Sequence, residues 1–268
     1  ELRRVGAQNV SLVDTDDIVC IPENRFATED RITREIRKVL AANSFPISVG
    51  GDHSVTFPIV RAYDIPLTVI QFDAHSDYMD LEYEESCAHG CTMRKVSSLD
   101  GVTQIIHCGI RGLLNSRKGI EDTIQKGNVI ITSEELHANG FSTLERLLNR
   151  EKNYYITFDT DFLDPSIAPG TGTPEPGGIL YNQAKALLQL IAGSYNVVGI
   201  DIVELNPLFD SSTNTSQHLV RLLFDFVSAR KIRTKSSEPI PENRDIPVLV
   251  GVPHNKVMSG LNKNQPVT

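Results

Sequence analysis

Short apolar runs of four to six residues, rich in β-branched and aromatic side chains, recur along the chain with longer amphipathic stretches between them. The runs lack the in-and-out alternation of a sheet with one wet face, so they predict strands covered on both sides. Helical stretches between such strands act as crossovers, which makes the sheet mostly parallel and the fold a three-layer α/β domain. Seven strands are predicted, near Asn9–Val13, Pro46–Val49, Leu67–Phe72, Thr103–Cys108, Asn128–Ile131, Tyr154–Phe158 and Val197–Ile200. Helices are predicted over Glu29–Ala42, Ser54–Tyr63, Ser142–Asn149, Asn182–Ala192 and Asn214–Ser228. A chain of 268 residues suits one such domain, residues 1–232, followed by a tail, residues 233–268. The tail holds one more apolar run, Ile246–Val252, open to reading as a peripheral strand, an oligomer contact or an unordered segment.

The formal net charge of -8 argues against nucleic acid or an anionic membrane as partner, because a phosphate-binding face needs a surplus of Lys and Arg. A small cation is better matched. No apolar stretch approaches the roughly 20 residues that cross a bilayer, and the start, Glu1-Leu2-Arg3-Arg4, lacks the apolar core of a signal peptide. These features predict a soluble, cytoplasmic protein. Cys20, Cys87, Cys91 and Cys108 are too few and too irregular for a disulfide framework. Cys87, His89 and Cys91 alternate, but a zinc cluster usually leaves two to four residues between its cysteines and has a second pair, which is missing.

Polar clusters follow four of the predicted strands: Gly50-Gly51-Asp52-His53, Asp73-Ala74-His75-Ser76-Asp77, Asp159-Thr160-Asp161 and Asp201-Ile202-Val203-Glu204. In a parallel sheet the carboxyl ends of the strands form one rim, so four segments distant in sequence converge there. If strand geometry persists beyond Phe72, Asp73, His75 and Asp77 project to one side, and Asp159 with Asp161 repeats the device. A single Asp after a strand is often only a helix cap or a turn. Several carboxylates crowded together repel one another and need a cation between them. Four carboxylates and two imidazoles suit Mn²⁺ better than the thiolate-rich sites of structural zinc, and Ni²⁺ is compatible with them. Six ligands exceed the needs of one open catalytic ion, so two ions are expected, a pairing suited to activating water for hydrolysis. Phosphoesters, amides and guanidines are all candidate substrates at this point.

The motifs resemble those of the ureohydrolases, the family of arginase, agmatinase and guanidinobutyrase. The resemblance rests on Ser48-Val49-Gly50-Gly51-Asp52-His53-Ser54, on Phe72-Asp73-Ala74-His75-Ser76-Asp77, on Phe158 to Pro165 with Ala168 to Pro174, and on Asp201 to Pro207, in the family's order over roughly positions 8 to 230. It implies an arginase-like fold with two Mn²⁺, one held by His53, Asp73, Asp77 and Asp159 and the other by Asp73, His75, Asp159 and Asp161, with Asp73 and Asp159 bridging. It also implies that Glu204 grips the guanidinium by paired charged hydrogen bonds and that His89 shuttles protons near the leaving amine. Asp77, His89 and Glu204 are thus the expected catalytic residues, and Thr173 joins Glu204 and His89 in contacting substrate. A homo-trimer or homo-hexamer is expected on the same ground.

Among ureohydrolases, arginase-like members carry Asn, Ser and Thr after the second aspartate to receive an amino-acid head. This chain has Asp80, Glu82, Glu84 and Glu85 there, which favour a cationic tail and hence agmatine. Guanidinobutyrase, arginase and guanidine hydrolase activities are the alternatives, as is a catalytically silent regulatory or assembly subunit. Retention of all six ligands, Glu204 and His89 argues against the silent reading. A single-zinc acyl hydrolase of similar fold would not need Gly50-Gly51-Asp52-His53 or Glu204. His107, His137, His218 and His254 read as structural or surface groups. The chain begins where the family's second strand lies, so the first strand, interior in these folds, is expected to be missing or replaced by another element.

Overall fold

The strands are β1 (Val13–Asp17), β2 (Phe45–Val49), β3 (Leu67–Phe72), β4 (Val102–Ile110), β5 (Val129–Thr132), β6 (Asn153–Asp159), β7 (Asn196–Val203) and β8 (Pro247–Gly251) in a computed structural model that describes residues 12–80, 89–236 and 247–251. They form one sheet in the order β1-β8-β2-β7-β6-β3-β4-β5, and every pairing is parallel. The helices are α1 (Arg25–Ala41), α2 (Thr56–Val60), α3 (Thr92–Val96), α4 (Arg117–Gln125), α5 (Ser133–Asn139), α6 (Ser142–Glu145), α7 (Tyr181–Ser194) and α8 (Asn214–Ser236).

Period-two alternation distributes the strand side chains between two cores. Ile70 and Phe72 of β3, Ile156 and Phe158 of β6 and Ile200 of β7 pack with Leu187 and Ile191 of α7 and Leu222 and Phe226 of α8. Val69, Ile105, Tyr155 and Val203 face the other way, onto Ile36 of α1, Ile59 of α2 and Met93 of α3. The sheet is therefore covered on both faces, as the uniformly apolar runs require. The odd-numbered positions of β3, β4 and β6 nearest the rim carry Gln71, His107 and Thr157, all fully buried on the same face as the second core.

Several elements differ from expectation. The run predicted at Asn9–Val13 pairs as Val13–Asp17, with residues 9–11 outside the described residues. Each residue of β1 is exposed, and its three aspartates suit an edge strand, where charge discourages further pairing. The apolar run in the tail is not peripheral. Pro247–Gly251 lies inside the sheet, bonded to β1 on one side and β2 on the other. An apolar segment without alternation satisfies its backbone best with a neighbour on each side. The predicted helix Ser54–Tyr63 is a 3₁₀ turn, His53–Val55, followed by short α2, and Ser142–Asn149 is reduced to α6. Helices α3, α4 and α5 were not predicted. Only Gly119 and Thr123 of α4 are buried, which leaves almost no apolar stripe to read.

Candidate metal centre

Strands β2, β7, β6 and β3 are consecutive in the sheet, so the four polar clusters leave adjacent strand ends. At the end of β2 the chain must turn sharply. Gly50 and Gly51 do so at φ +105° and +79°, values that a side chain would strain. The Gly50 N–H donates to Ile202 O at 3.0 Å and the Glu204 N–H to Gly51 O at 3.0 Å, so this turn is laced to the end of β7. Three strand ends then use one device, an Asp carboxylate that accepts the N–H two residues on: Asp52 from Ser54 at 3.0 Å, Asp73 from His75 at 2.6 Å and Asp159 from Asp161 at 3.0 Å. Extended geometry thus ends at Phe72 rather than continuing to Asp77, which sits at φ +47°. The side chains converge because the chain folds back, not because a strand aligns them.

The convergence is tight. His53 Nδ1 lies 3.1 Å from Asp73 Oδ2, 3.0 Å from Asp77 Oδ2 and 3.1 Å from Asp159 Oδ2. His75 Nδ1 lies 3.0 Å from Asp161 Oδ2 and 3.6 Å from Asp73 Oδ1. Among the described residues two sets of ligand atoms are compact enough to hold an ion, His53 with Asp73 and Asp159, and Asp73 with His75 and Asp161. Asp73 belongs to both, and Asp77 flanks the first. His53 Nδ1 is buried and has no hydrogen-bond partner among the described residues despite three oxygens within reach. A buried ring nitrogen aimed with three carboxylate oxygens at one point, yet bonded to none of them, fits a cation at that point. His53 Nε2 lies 2.9 Å from Thr157 Oγ1, which fixes the ring.

Burial and the neighbouring charges of Asp161 and Asp77 push the Asp73 carboxyl up to about 8. Burial with the charges of Asp161 and Asp73 raises Asp159 well above its ordinary value too. Burial acts to lower His75, but the hydrogen bond and charge of Asp161 prevail and raise it to about 9. His53 is likewise raised, against burial, by Asp159, Asp73 and Asp77. Without a metal the cluster relieves its repulsion by holding protons, which a divalent cation would displace.

Glu204 sits at φ +61°, a conformation that costs a non-glycine residue on the order of 1–2 kcal/mol. Its Oε1 accepts the His53 N–H at 2.8 Å and lies 3.4 Å from His89 Nδ1. The hydrogen bond to Glu204 raises His89 to about 9. Burial acts to raise Glu204, but His89 and the His53 N–H outweigh it and hold the carboxyl below its ordinary value. Thr173 Oγ1 lies 3.4 Å from Asp161 Oδ2, beside the second ligand set. The acidic loop is described only in part: Asp80 is paired with Lys118 at 2.7 Å, while Glu82, Glu84, Glu85 and Cys87 lie outside the described residues, as does His254. His89 faces Glu204, and Cys91 is buried at the start of α3.

Some supporting residues were missed in the sequence. Arg111 Nη2 donates to Asp161 O at 2.6 Å and Glu175 O at 2.7 Å, and Nε donates to Pro176 O at 3.1 Å, stitching the Pro165–Gly178 loop to the end of β4. Glu175 Oε1 lies 3.8 Å from His75 Nε2. Asp201, read as part of the rim, is buried within β7 and accepts from Tyr155 at 2.7 Å and Thr56 at 3.0 Å. His137 Nε2 meets the carbonyls of Gly177 and Gly178, and His218 Nδ1 that of Ile167, which are structural roles.

No helix among the described residues is long and apolar enough to cross a membrane. The chain is similar to the mitochondrial guanidino acid hydrolase of Homo sapiens, with 31% identity over 83% of this chain and 65% of the relative. It is similar also to the mitochondrial agmatinase of Gallus gallus, with 33% identity over 74% of this chain and 60% of the relative. The chain thus spans just under two thirds of the length of these relatives. In three dimensions it resembles the agmatine ureohydrolase of Thermoplasma volcanium, with a TM-score of 0.67 and 31% identity, covering 79% of this chain and 70% of that one. The sequence model of the arginase family matches residues 2–228, and with motifs, sheet and rim in agreement the chain belongs to that family.

Proposed function

We propose that this chain hydrolyses a guanidino compound to urea and an amine at a binuclear Mn²⁺ centre, and that its substrate is agmatine, which yields putrescine. The observation that carries the reading is the meeting of His53, His75, Asp77, Asp159 and Asp161 around the shared carboxylate of Asp73, with Glu204 beside them. His53, Asp73, Asp77 and Asp159 would hold one cation, and Asp73, His75, Asp159 and Asp161 the other. When bound, such a pair supplies the Lewis acidity that makes water a usable nucleophile near neutral pH.

The chain's own residues provide the rest. Glu204, kept ionised by His89 and the His53 N–H, offers a planar acceptor to the planar donors of a guanidinium. His89 is protonated at neutral pH while it faces Glu204. A guanidinium arriving at Glu204 competes for that carboxylate and adds positive charge, so it lowers the His89 pKa and readies its proton for the departing amine. The loop that reaches from Asp164 to Gly178 is pinned by Arg111 and keeps Thr173 against Asp161. With Asp80 engaged by Lys118, preference for a cationic tail falls to Glu82, Glu84 and Glu85.

Urea release from agmatine, arginine, 4-guanidinobutyrate, 3-guanidinopropionate and free guanidine, with Mn²⁺ or Ni²⁺ present, tests the assignment. Agmatine should be turned over fastest; preference for arginine or a guanidino acid would overturn the substrate, and metal-loaded protein that releases no urea would favour a silent subunit. We further take the molecule to be a cytoplasmic homo-trimer or homo-hexamer. Light scattering checks the assembly.

A further inference from the structure

Behind Asp73, on the face of the sheet opposite α7 and α8, a line of buried polar side chains runs away from the ligands. Gln71 Nε2 donates to Asp73 Oδ2 at 2.6 Å and to His75 O at 3.0 Å. Gln71 Oε1 meets His107 Nδ1, its direct cross-strand partner in the β3–β4 register. His107 Nε2 lies 2.9 Å from Thr123 Oγ1, which lies 2.9 Å from Asn128 Nδ2, and Asn128 Oδ1 accepts the Ile105 N–H at 2.8 Å. Gln71, His107 and Thr123 are fully buried, and Asn128 is 8% exposed, so water does not offer substitutes.

The two ends of this line dictate its middle. Gln71 must turn its amide NH₂ to Asp73 and His75 O, because its oxygen there would face two acceptors. Its Oε1 therefore needs a donor, and His107 Nδ1 must carry the hydrogen. Asn128 must turn its oxygen to the Ile105 N–H, so its NH₂ faces Thr123 Oγ1 and occupies that oxygen as acceptor. The Thr123 hydroxyl is then free to donate to an unprotonated His107 Nε2. Every link consequently points the same way, from Ile105 N–H through Asn128, Thr123, His107 and Gln71 to Asp73, an arrangement in which each bond polarises the next. Burial and the positive charge of His53 lower the His107 pKa to about 3, in keeping with a neutral ring. The Tyr78 ring meets His107 edge-on, with centroids 6.1 Å apart, and brings no charge.

The consequence falls on Asp73. Its Oδ1 is engaged by the His75 N–H and its Oδ2 by Gln71, so each oxygen keeps one lone-pair direction for one ligand set. We propose that Gln71, His107, Thr123 and Asn128 form a one-way hydrogen-bond relay that fixes the plane of the Asp73 carboxylate and so sets the affinity of both ligand sets for their cations. His107 is a positioning residue in this scheme, held as the Nδ1–H tautomer. The proposal rests on the two-metal reading, and its test separates the two.

The protein stripped with a chelator and labelled with ¹⁵N-histidine should show His107 protonated at Nδ1 alone, unchanged from pH 5.5 to 8. Mn²⁺ affinity, read by competition with a fluorescent chelator, should weaken about 10–100-fold in His107→Leu and in Thr123→Val, as is typical when a group that orients a ligand is lost. His107→Asn can place an amide N–H near the position of Nδ1 and should recover part of that loss. Thr123→Val, nearly isosteric, carries the test should His107→Leu not fold. An Nε2–H tautomer, or Mn²⁺ affinity within about twofold of wild type in folded Thr123→Val, would overturn the relay. Wild-type protein that binds neither Mn²⁺ nor Ni²⁺ would overturn the metal reading and the relay's role with it, and the tautomer then tells which of the two failed in its geometry.

Discussion

Loading the metal-free protein with Mn²⁺ should expel protons. A carboxyl at about 8, such as Asp73, is about nine-tenths protonated at pH 7, and an imidazole at about 9, such as His75, is about 99% protonated. Both must be deprotonated to bind a cation, so these two residues alone release about two protons. His53 and Asp159, also raised, add to that number, whereas Asp161, held below its ordinary value, adds none. The sign follows directly: protons compete with the metal, so affinity grows as pH rises and levels off above the highest of these values. Two protons correspond to about a hundred-fold gain in apparent affinity between pH 6 and pH 7. Calorimetric titration of stripped protein with Mn²⁺ at pH 7, in two buffers of different ionisation enthalpy, counts the protons released. Release of fewer than one proton, or an affinity that is flat from pH 6 to 8, would refute the crowding of charge that the geometry displays.

Other perturbations separate the centre from its frame. Asp161→Asn removes a member of the second ligand set and should depress metal content and urea release together, by more than the ~10–100-fold typical of outer partners; metal analysis beside the urea assay checks it. Gly109→Ala should destabilise the fold by about 2–4 kcal/mol in denaturant titration, because Gly109 has φ +102° and a Cβ there would lie 2.6 Å from Phe162 and 2.8 Å from Asp73 O. Arg111→Lys cannot reproduce a guanidinium that spans the carbonyls of Gly109, Asp161, Glu175 and Pro176, so the loop near Thr173 should become more susceptible to limited proteolysis, with a loss of roughly 1–3 kcal/mol in stability.

What could be read from the sequence was what is local. The three-layer sheet was legible because strands covered on both faces cannot hide their apolar character, and the ligands were legible because Asp and His at alternate positions, Asp73, His75 and Asp77, then Asp159 and Asp161, follow the strands. Even so, the reason given for their alignment was wrong, since Asp73 and Asp159 each close a turn by accepting the N–H two residues on, and the strand does not extend to Asp77. Helix α5 announces itself through the capping box of Thr132 and Glu135, a signal present in the sequence and overlooked. The place of β8 was not legible, because five apolar residues fit an edge or an interior equally well and only the unpaired sides of β1 and β2 decide between them. The relay was hidden for the same reason. Gln71 and His107 become partners only through the register of two strands 36 residues apart, and Thr123 reaches them from a helix with almost no apolar stripe. Ligands that meet a cation must be chemically conspicuous, but the groups that orient them need only complementary donors and acceptors, which Gln, Thr and Asn supply anywhere in a chain. Their arrangement is therefore a property of the sheet, and a variant that shifted the β3–β4 register by one residue would lose the relay while leaving each motif in the sequence intact.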